Sequence, residues 1–321
     1  KWQSLLVGGL LLASAGAFGG MADKVVRSRI EGVDVLAIPT AVKDVVTINA
    51  SLPAGDAFAA PDNAAVPTLT GMMLDKGTTN ADKFAIAQQL EGVGASITFS
   101  VGDQTLDIRA KCLRKDAPTV IHLLIEQLRT PALSADEFAK VRQQLTGAIR
   151  RSLEDTDTRA EIAFSRAIFA PGHPNRKIAA EDLLAAIGRA TLADVKAFHS
   201  RYYGPAHLTV AMAGDLDLKA IQARLRKDLA GWQGGVPVLS APGANAARQA
   251  LTQSINMPGK TSVSIILGQA SGVRYSDPDA LALRMGAAIL GSGFTGRLMH
   301  TVRDQEGLTY GIFAAMGDDT Y

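Results

Sequence analysis

The chain has 321 residues, 33 basic and 31 acidic for a formal charge of +2, with 47% hydrophobic and 20% charged residues. That length exceeds one ordinary domain and fits two, with enough apolar material for a core in each. The well-mixed charge lacks the clustered basic face that nucleic acid requires, and a single cysteine, Cys112, excludes an intrachain disulfide framework.

Lys1, the apolar run Leu5 to Leu12 and small residues through Gly20 read as a secretory signal over residues 1–22. Exits are offered at Ala13-Ser14-Ala15, Ala15-Gly16-Ala17 or Gly20-Met21-Ala22. The apolar run is too short to span a bilayer, so the expectation is a periplasmic protein without a stable membrane anchor. Val25 to Ile38 then alternates around Glu31-Gly32, a turn between two strands, and β-branched Val45 to Leu52 forms the next strand, ended by Pro53-Ala54-Gly55-Asp56. Ala64 to Leu74 has helical spacing and stops at Lys76-Gly77. Asn80 caps a second helix to Leu90; Ser96 to Val101 and Thr105 to Cys112 are strands joined across Gly102-Asp103. Cys112 falls in the alternating run as a small core residue, with no basic neighbourhood to activate its thiol.

Pro118 to Leu128 is an amphipathic helix, and Ser134 with Glu137 forms a capping box for a long helix toward Leu153. Asp157 opens another to Phe169, followed by the loop Pro171-Gly172-His173-Pro174. Thr191 with Asp194 starts the helix holding Phe198 and Tyr202; His207 to Ala213 is a strand, and Leu218 to Leu229 a helix. Residues 234–247, rich in Gly, Pro and Ala, read as a linker between a first domain (23–233) and a second (248–321). In the second, strands are expected at Gln253 to Asn256, Ser262 to Leu267 and Leu308 to Met316, with helices at Asp279 to Leu290 and Gly296 to Glu306. Its order repeats that of the first domain but stops at Tyr321. The fold class is therefore α+β: a duplicated, mixed, largely antiparallel sheet with helices on one face and an incomplete second copy, the portion of a longer chain.

Three stretches in order carry a resemblance. They are Met73-Leu74-Asp75-Lys76-Gly77-Thr78; Ala197 to Pro205 with Val210 to Asp215 and Trp232; and Ile289-Leu290-Gly291-Ser292-Gly293-Phe294 with Arg297-Leu298 and Arg303 to Tyr310. Together they resemble the pitrilysin/insulinase metallopeptidases, which include the mitochondrial processing peptidase and its core-protein relatives, and they imply the fold of that family. Active members carry His-x-x-Glu-His on a helix, where two histidines at i and i+4 reach one Zn²⁺ and a glutamate serves as general base. In this chain the corresponding positions are Thr68, Gly71 and Met72, none of which can act so, and the long helix that supplies the family's third ligand has no acidic residue from Val141 to Leu153, Gln143 and Gln144 lying nearest. No metal is expected in this chain.

The resemblance also places Arg303 and Tyr310 where family members hold the scissile peptide, and both side chains can donate to a peptide carbonyl. It implies a non-catalytic, substrate-binding subunit that depends on a zinc-bearing His-x-x-Glu-His partner for cleavage of peptide or unfolded polypeptide. The alternative is a scaffold or interaction protein of the same fold with no part in proteolysis. The run Gly94 to Val101 resembles the family's edge strand, available for an extended peptide or for packing. Among the histidines, His122 shares a helix face with Glu126, and His199 reads as a structural polar residue. Gly291-Ser292-Gly293-Phe294-Thr295-Gly296 fits Gly-x-Gly-x-x-Gly, but it follows a helix where a dinucleotide site needs a strand.

Overall fold

The structure is a computed structural model, and it describes residues 21–60, 62–173, 175–239 and 250–317. The signal segment, apart from its last two residues, and residues 240–247 of the linker lie outside them. The chain divides into two compact units: one runs to Ala148 and resumes over Leu183–Val238, while the other comprises Ile149–Asp182 and the chain from Leu239 onward.

The first unit is built on a six-stranded sheet. Its strands are β1 (Val26–Ile30), β2 (Val33–Pro39), β3 (Val45–Leu52), β4 (Ser96–Val101), β5 (Leu106–Leu113) and β6 (Thr209–Gly214). Their order is β1-β2-β6-β3-β5-β4, antiparallel throughout except for the parallel pair β2–β6. The β1–β2 hairpin turns on Glu31 and Gly32, at φ 48° and 88°, the left-handed pair that a two-residue hairpin loop requires. Alternation decides the faces. Val33, Val35, Val46, Ile48, Ile108, Ala110, Val210 and Met212 are buried on one side, whereas Asp34, Thr47, Asn49, Asp107, Arg109 and Lys111 point to solvent on the other.

Helices α1 (Val66–Met73), α2 (Lys83–Glu91), α3 (Ala117–Arg129) and α8 (Leu218–Leu229) pack on strands of the sheet, α7 (Leu192–Tyr202) packs on α1, and α4 (Ala135–Ser152) follows α3. Between α4 and α7 come α5 (Thr156–Ile168) and α6 (Ala180–Arg189). Helix α7 starts with the expected capping box, Thr191 and Asp194 each accepting from the other's backbone. At Ser134 only half a box forms: its hydroxyl accepts from the Glu137 N–H, while the Glu137 carboxylate turns to Lys83 and Lys140.

Other boundaries move for local reasons. Asp82, rather than Asn80, caps α2, because Asn80 donates its amide to Glu126 while the Asp82 carboxylate takes the Ala85 N–H. Asp155, rather than Asp157, caps α5 through the Thr158 N–H. Strand β6 begins at Thr209 because His207 has φ 63°, which no strand residue adopts. Helix α6 was not anticipated, although Glu181 and Asp182 in its first turn are an ordinary start signal.

In the second unit, α9 (Ala280–Gly291) forms where expected, and Met299–Gln305 is wound as a π-helix. The strands expected at 253–256, 262–267 and 308–316 do not form among the described residues. A strand needs a neighbour for its N–H and C=O groups, and Val263, Ile265 and Leu267 instead stand 85%, 84% and 97% exposed. No helix among the described residues is long and apolar enough to cross a membrane.

Tyr203, which ends α7, is buried among Phe198 and His199, and burial pushes its phenol above the usual range. Its hydroxyl has no hydrogen-bond partner among the described residues. Tyr203→Phe is therefore expected to raise the urea midpoint, by about 1 kcal/mol of stability. A lowered midpoint would show that the hydroxyl is paired.

Candidate functional site

Helix α1 carries the three positions that correspond to the zinc motif, and its surroundings close them. Thr68 is not turned outward: its hydroxyl donates to Asp56 Oδ1 at 3.0 Å. Gly71 is buried, and a Cβ built on it would lie 2.4 Å from Val101 Cγ2 of β4. Met72, on the same helix, is half-buried. The place of a glutamate is thus taken by the edge strand, and the place of a histidine is tied to a carboxylate. Gln143 and Gln144 on α4 are exposed. These residues do not fit a zinc ion, and among the described residues no group of three or more His, Cys, Asp or Glu side chains could hold a metal.

Asp56 was read from the sequence only as the end of a strand. The structure gives it a second role. Gly55, Asp56 and Ala57 donate their N–H groups to Gln104, Gly102 and Asp103 at 3.0, 2.9 and 2.7 Å, fastening the β3–α1 loop to the β4–β5 turn. Burial pushes the Asp56 carboxyl from 3.8 up to about 6, the Thr68 hydrogen bond pulls it down, and the charge of Asp103 raises it again. No alternation or spacing marks such a residue; its environment is assembled from a loop and a turn about 50 residues apart.

The remaining sequence candidates resolve individually. Cys112 is buried on the inner face of β5, and burial with nearby Asp116 pushes its thiol up to about 11, which makes it inert. His199 lies within hydrogen-bond distance of the Leu128 carbonyl, 2.8 Å from Nε2, and burial holds its pKa below the usual imidazole value. It is a structural polar residue. His122 lies 3.6 Å from Glu126 and 3.3 Å from Asp228, and Asp228 is clamped by Arg224 at 2.6 and 2.7 Å. The Glu126 carboxylate is engaged by Thr78 and Asn80. These groups knit α3 to α8. The Gly-x-Gly-x-x-Gly run follows helix α9, and a Cβ on Gly291 would meet the Ala314 nitrogen at 2.3 Å. Its first glycine serves close chain packing, not a phosphate. Strand β4 is an outer strand of the sheet, paired among the described residues with β5 alone.

Arg303 and Tyr310 are brought together. The Arg303 guanidinium carbon lies 5.1 Å from the Tyr310 ring centre and 5.3 Å from that of Phe294, a residue whose role the sequence did not disclose. Phe294 is 74% and Tyr310 87% exposed. Stacking engages the face of a guanidinium and leaves its in-plane N–H donors available. Among the described residues neither Arg303's guanidinium nor Tyr310's hydroxyl has a hydrogen-bond or ion-pair partner.

Fold and site together define a chain of metallopeptidase architecture whose metal-motif helix is filled by packing. Residues 34–179 match the family model described as insulinase (peptidase family M16), and residues 189–320 match that of the peptidase M16 inactive domain. The chain belongs to peptidase family M16. It is similar to a non-peptidase homologue from Helicobacter pylori, 23% identical over 76% of this chain and 56% of the relative. A zinc protease of Streptomyces coelicolor is 22% identical over 75% and 53%, and bovine mitochondrial cytochrome b-c1 complex subunit 1 is 22% identical over 76% and 51%. The chain thus spans about half the length of the curated relatives it matches. Among solved structures, a peptidase M16 inactive domain from Pseudomonas fluorescens superposes with TM-score 0.76 at 23% identity, covering 92% of this chain and 71% of that one. A protease from H. pylori gives 0.73 at 19% identity, covering 90% and 70%. The inactive-domain match and the non-peptidase homologue fit a non-catalytic protein of the M16 fold.

Two substitutions test the closed helix. Gly71→Ala gains helix propensity of about 1 kcal/mol but drives a methyl into Val101, so a net loss of roughly 1–2 kcal/mol is expected. Adding Val101→Ala should restore most of the Gly71→Ala loss in a double-mutant cycle; independent effects would show that the two do not touch. Asp56 gives a pH signature. With its native pKa near 6 against 3.8, the folded state holds a proton that the unfolded state releases, so this group's stability contribution falls as pH rises across that window. Asp56→Asn keeps the bond from Thr68 and removes the buried charge. It should stabilise on the order of 1–2 kcal/mol at pH 7.5 and show no gain below about pH 4 in thermal melts.

Proposed function

We propose that this chain is the substrate-holding, non-catalytic subunit of a heteromeric zinc metallopeptidase. The observation that carries the reading is the contrast between its two candidate sites. The metal-motif positions are consumed by packing, Thr68 on Asp56 and Gly71 against Val101, while the side-chain donors of half-buried Arg303 and exposed Tyr310 have no partner among the described residues. A guanidinium beside a phenol suits the oxygen of a peptide bond, first as a carbonyl and then as the charge on it grows. Cleavage requires a water activated by a metal, and that metal would come from a partner of the same family bearing His-x-x-Glu-His. Supporting the reading, the bovine relative is by its name a subunit of a complex.

In this reading residues 1–22 direct export, so the pair works in the periplasm on peptides or unfolded polypeptide. Residues 23–233 form the first domain, 234–247 the linker and 248–321 the start of the second. A purely architectural role would explain the closed α1 helix equally well. It gives no reason for an arginine placed beside two exposed rings, and the substrate-holding role is favoured on that ground.

Co-expression with a His-x-x-Glu-His chain of the same family from the same organism tests this directly. The wild-type pair should cleave an unfolded protein substrate in a chelator-sensitive reaction that this chain alone does not perform. Arg303→Ala should leave assembly intact and lower kcat/KM about 100-fold, and Tyr310→Phe about tenfold. Unchanged kcat/KM in both variants rejects the assigned roles, and chelator-sensitive cleavage by the isolated chain rejects the reading entirely.

A further inference from the structure

We infer that Phe294 forms an apolar wall beside Arg303, so that the peptide residue next to the carbonyl held by Arg303 carries an apolar side chain. The inference rests on the substrate-holding reading above and adds to it a specificity-determining residue and a substrate class. Phe294 sits in the turn Gly293–Thr295 directly after α9, where Gly293 at φ 62° adopts a backbone conformation that side-chain-bearing residues rarely reach. The turn is fixed at its ends, because a Cβ on Gly296 would meet Gly291 at 2.8 Å and the Gly291 carbonyl accepts from the Ala314 N–H at 3.1 Å. An aromatic ring is thus displayed on a constrained turn, 74% exposed.

The Arg303 guanidinium lies 5.3 Å from the ring, with Tyr310 on the same guanidinium at 5.1 Å. A peptide carbonyl that meets the in-plane donors of Arg303 lies beside both rings. The side chain next to that carbonyl then has an apolar surface within reach on the Phe294 side. Covering an exposed phenyl ring with an aliphatic or aromatic side chain removes apolar area from water, whereas a serine or lysine there gains little. The cationic centre of Arg303 makes the same place unfavourable for a substrate lysine.

The test uses the purified chain and fluorescein-labelled decapeptides, acetylated and amidated, of Ala, Gly and Ser with one central residue: Leu, Phe, Ser or Lys. Affinity is read by fluorescence anisotropy. Wild type should bind the Leu and Phe peptides about tenfold tighter than the Ser peptide, and the Lys peptide weakest. Phe294→Ala should reduce that preference to within about twofold by weakening the Leu and Phe peptides far more than the Ser peptide, and Phe294→Leu should restore most of it. Arg303→Ala should weaken all four alike. If Phe294→Ala weakens all four equally, the ring only props the guanidinium and the proposed wall is wrong. If the preference survives Phe294→Ala, the wall lies elsewhere. An Arg303→Ala variant that binds like wild type, or a wild type that binds none of the peptides, overturns the substrate-holding reading itself and this inference with it.

Discussion

The arrangement of the first unit depends on how closely helix α1 lies against the outer strand β4. At the point of contact the helix contributes only the hydrogen of Gly71, and Val101 fills the space that any side chain would have occupied. A second close approach works the same way in the loop before the helix, where a Cβ on Gly55 would fall 2.4 Å from the Gln104 carbonyl carbon. Both glycines are required for proximity and not for an unusual backbone angle. Once the two elements are this close, Thr68 finds Asp56 as its neighbour, and the carboxylate is shielded enough for its pKa to rise. Packing of this kind and a hydrolytic metal centre exclude one another, because both would occupy the same side of one helix.

The second unit shows the opposite use of side chains. Large groups there are displayed: Phe294, Tyr310 and much of α9 stand exposed, and Arg303 is steadied by ring faces in place of a carboxylate. Steadying a cation by aromatic rings has a chemical consequence. A carboxylate partner would occupy the N–H donors and neutralise the charge, whereas ring faces hold the group in position and leave its donors directed outward. On the function proposed above, the closed metal helix and the cationic hydrogen-bond donor divide the work of cleavage and grip between two proteins.

Local chemistry was legible wherever one short segment contained its own reason. The Glu31-Gly32 hairpin, the Thr191–Asp194 capping box, the alternation that buries Cys112 and the loss of ligands at Thr68, Gly71 and Met72 could all be read directly. Where two neighbouring residues could serve equally, as with Asn80 and Asp82 at the start of α2, the choice fell to a distant carboxylate, Glu126, that claimed one of them. The extended segments of the second unit illustrate the same limit: β-branched alternation supplies the propensity, but no ladder exists without an adjacent chain.

From the sequence alone, then, came the α+β class, the family resemblance, the emptied zinc motif and the Arg303–Tyr310 pair, because each is a matter of residue type at fixed spacing. Only the tertiary structure decided that Gly71 is sealed by Val101, that Asp56 carries a raised pKa, and that Phe294 joins Tyr310 around one guanidinium. Those properties belong to groups that separate helices, strands and turns bring together. They come into being when folding sets the distance and removes the water between them.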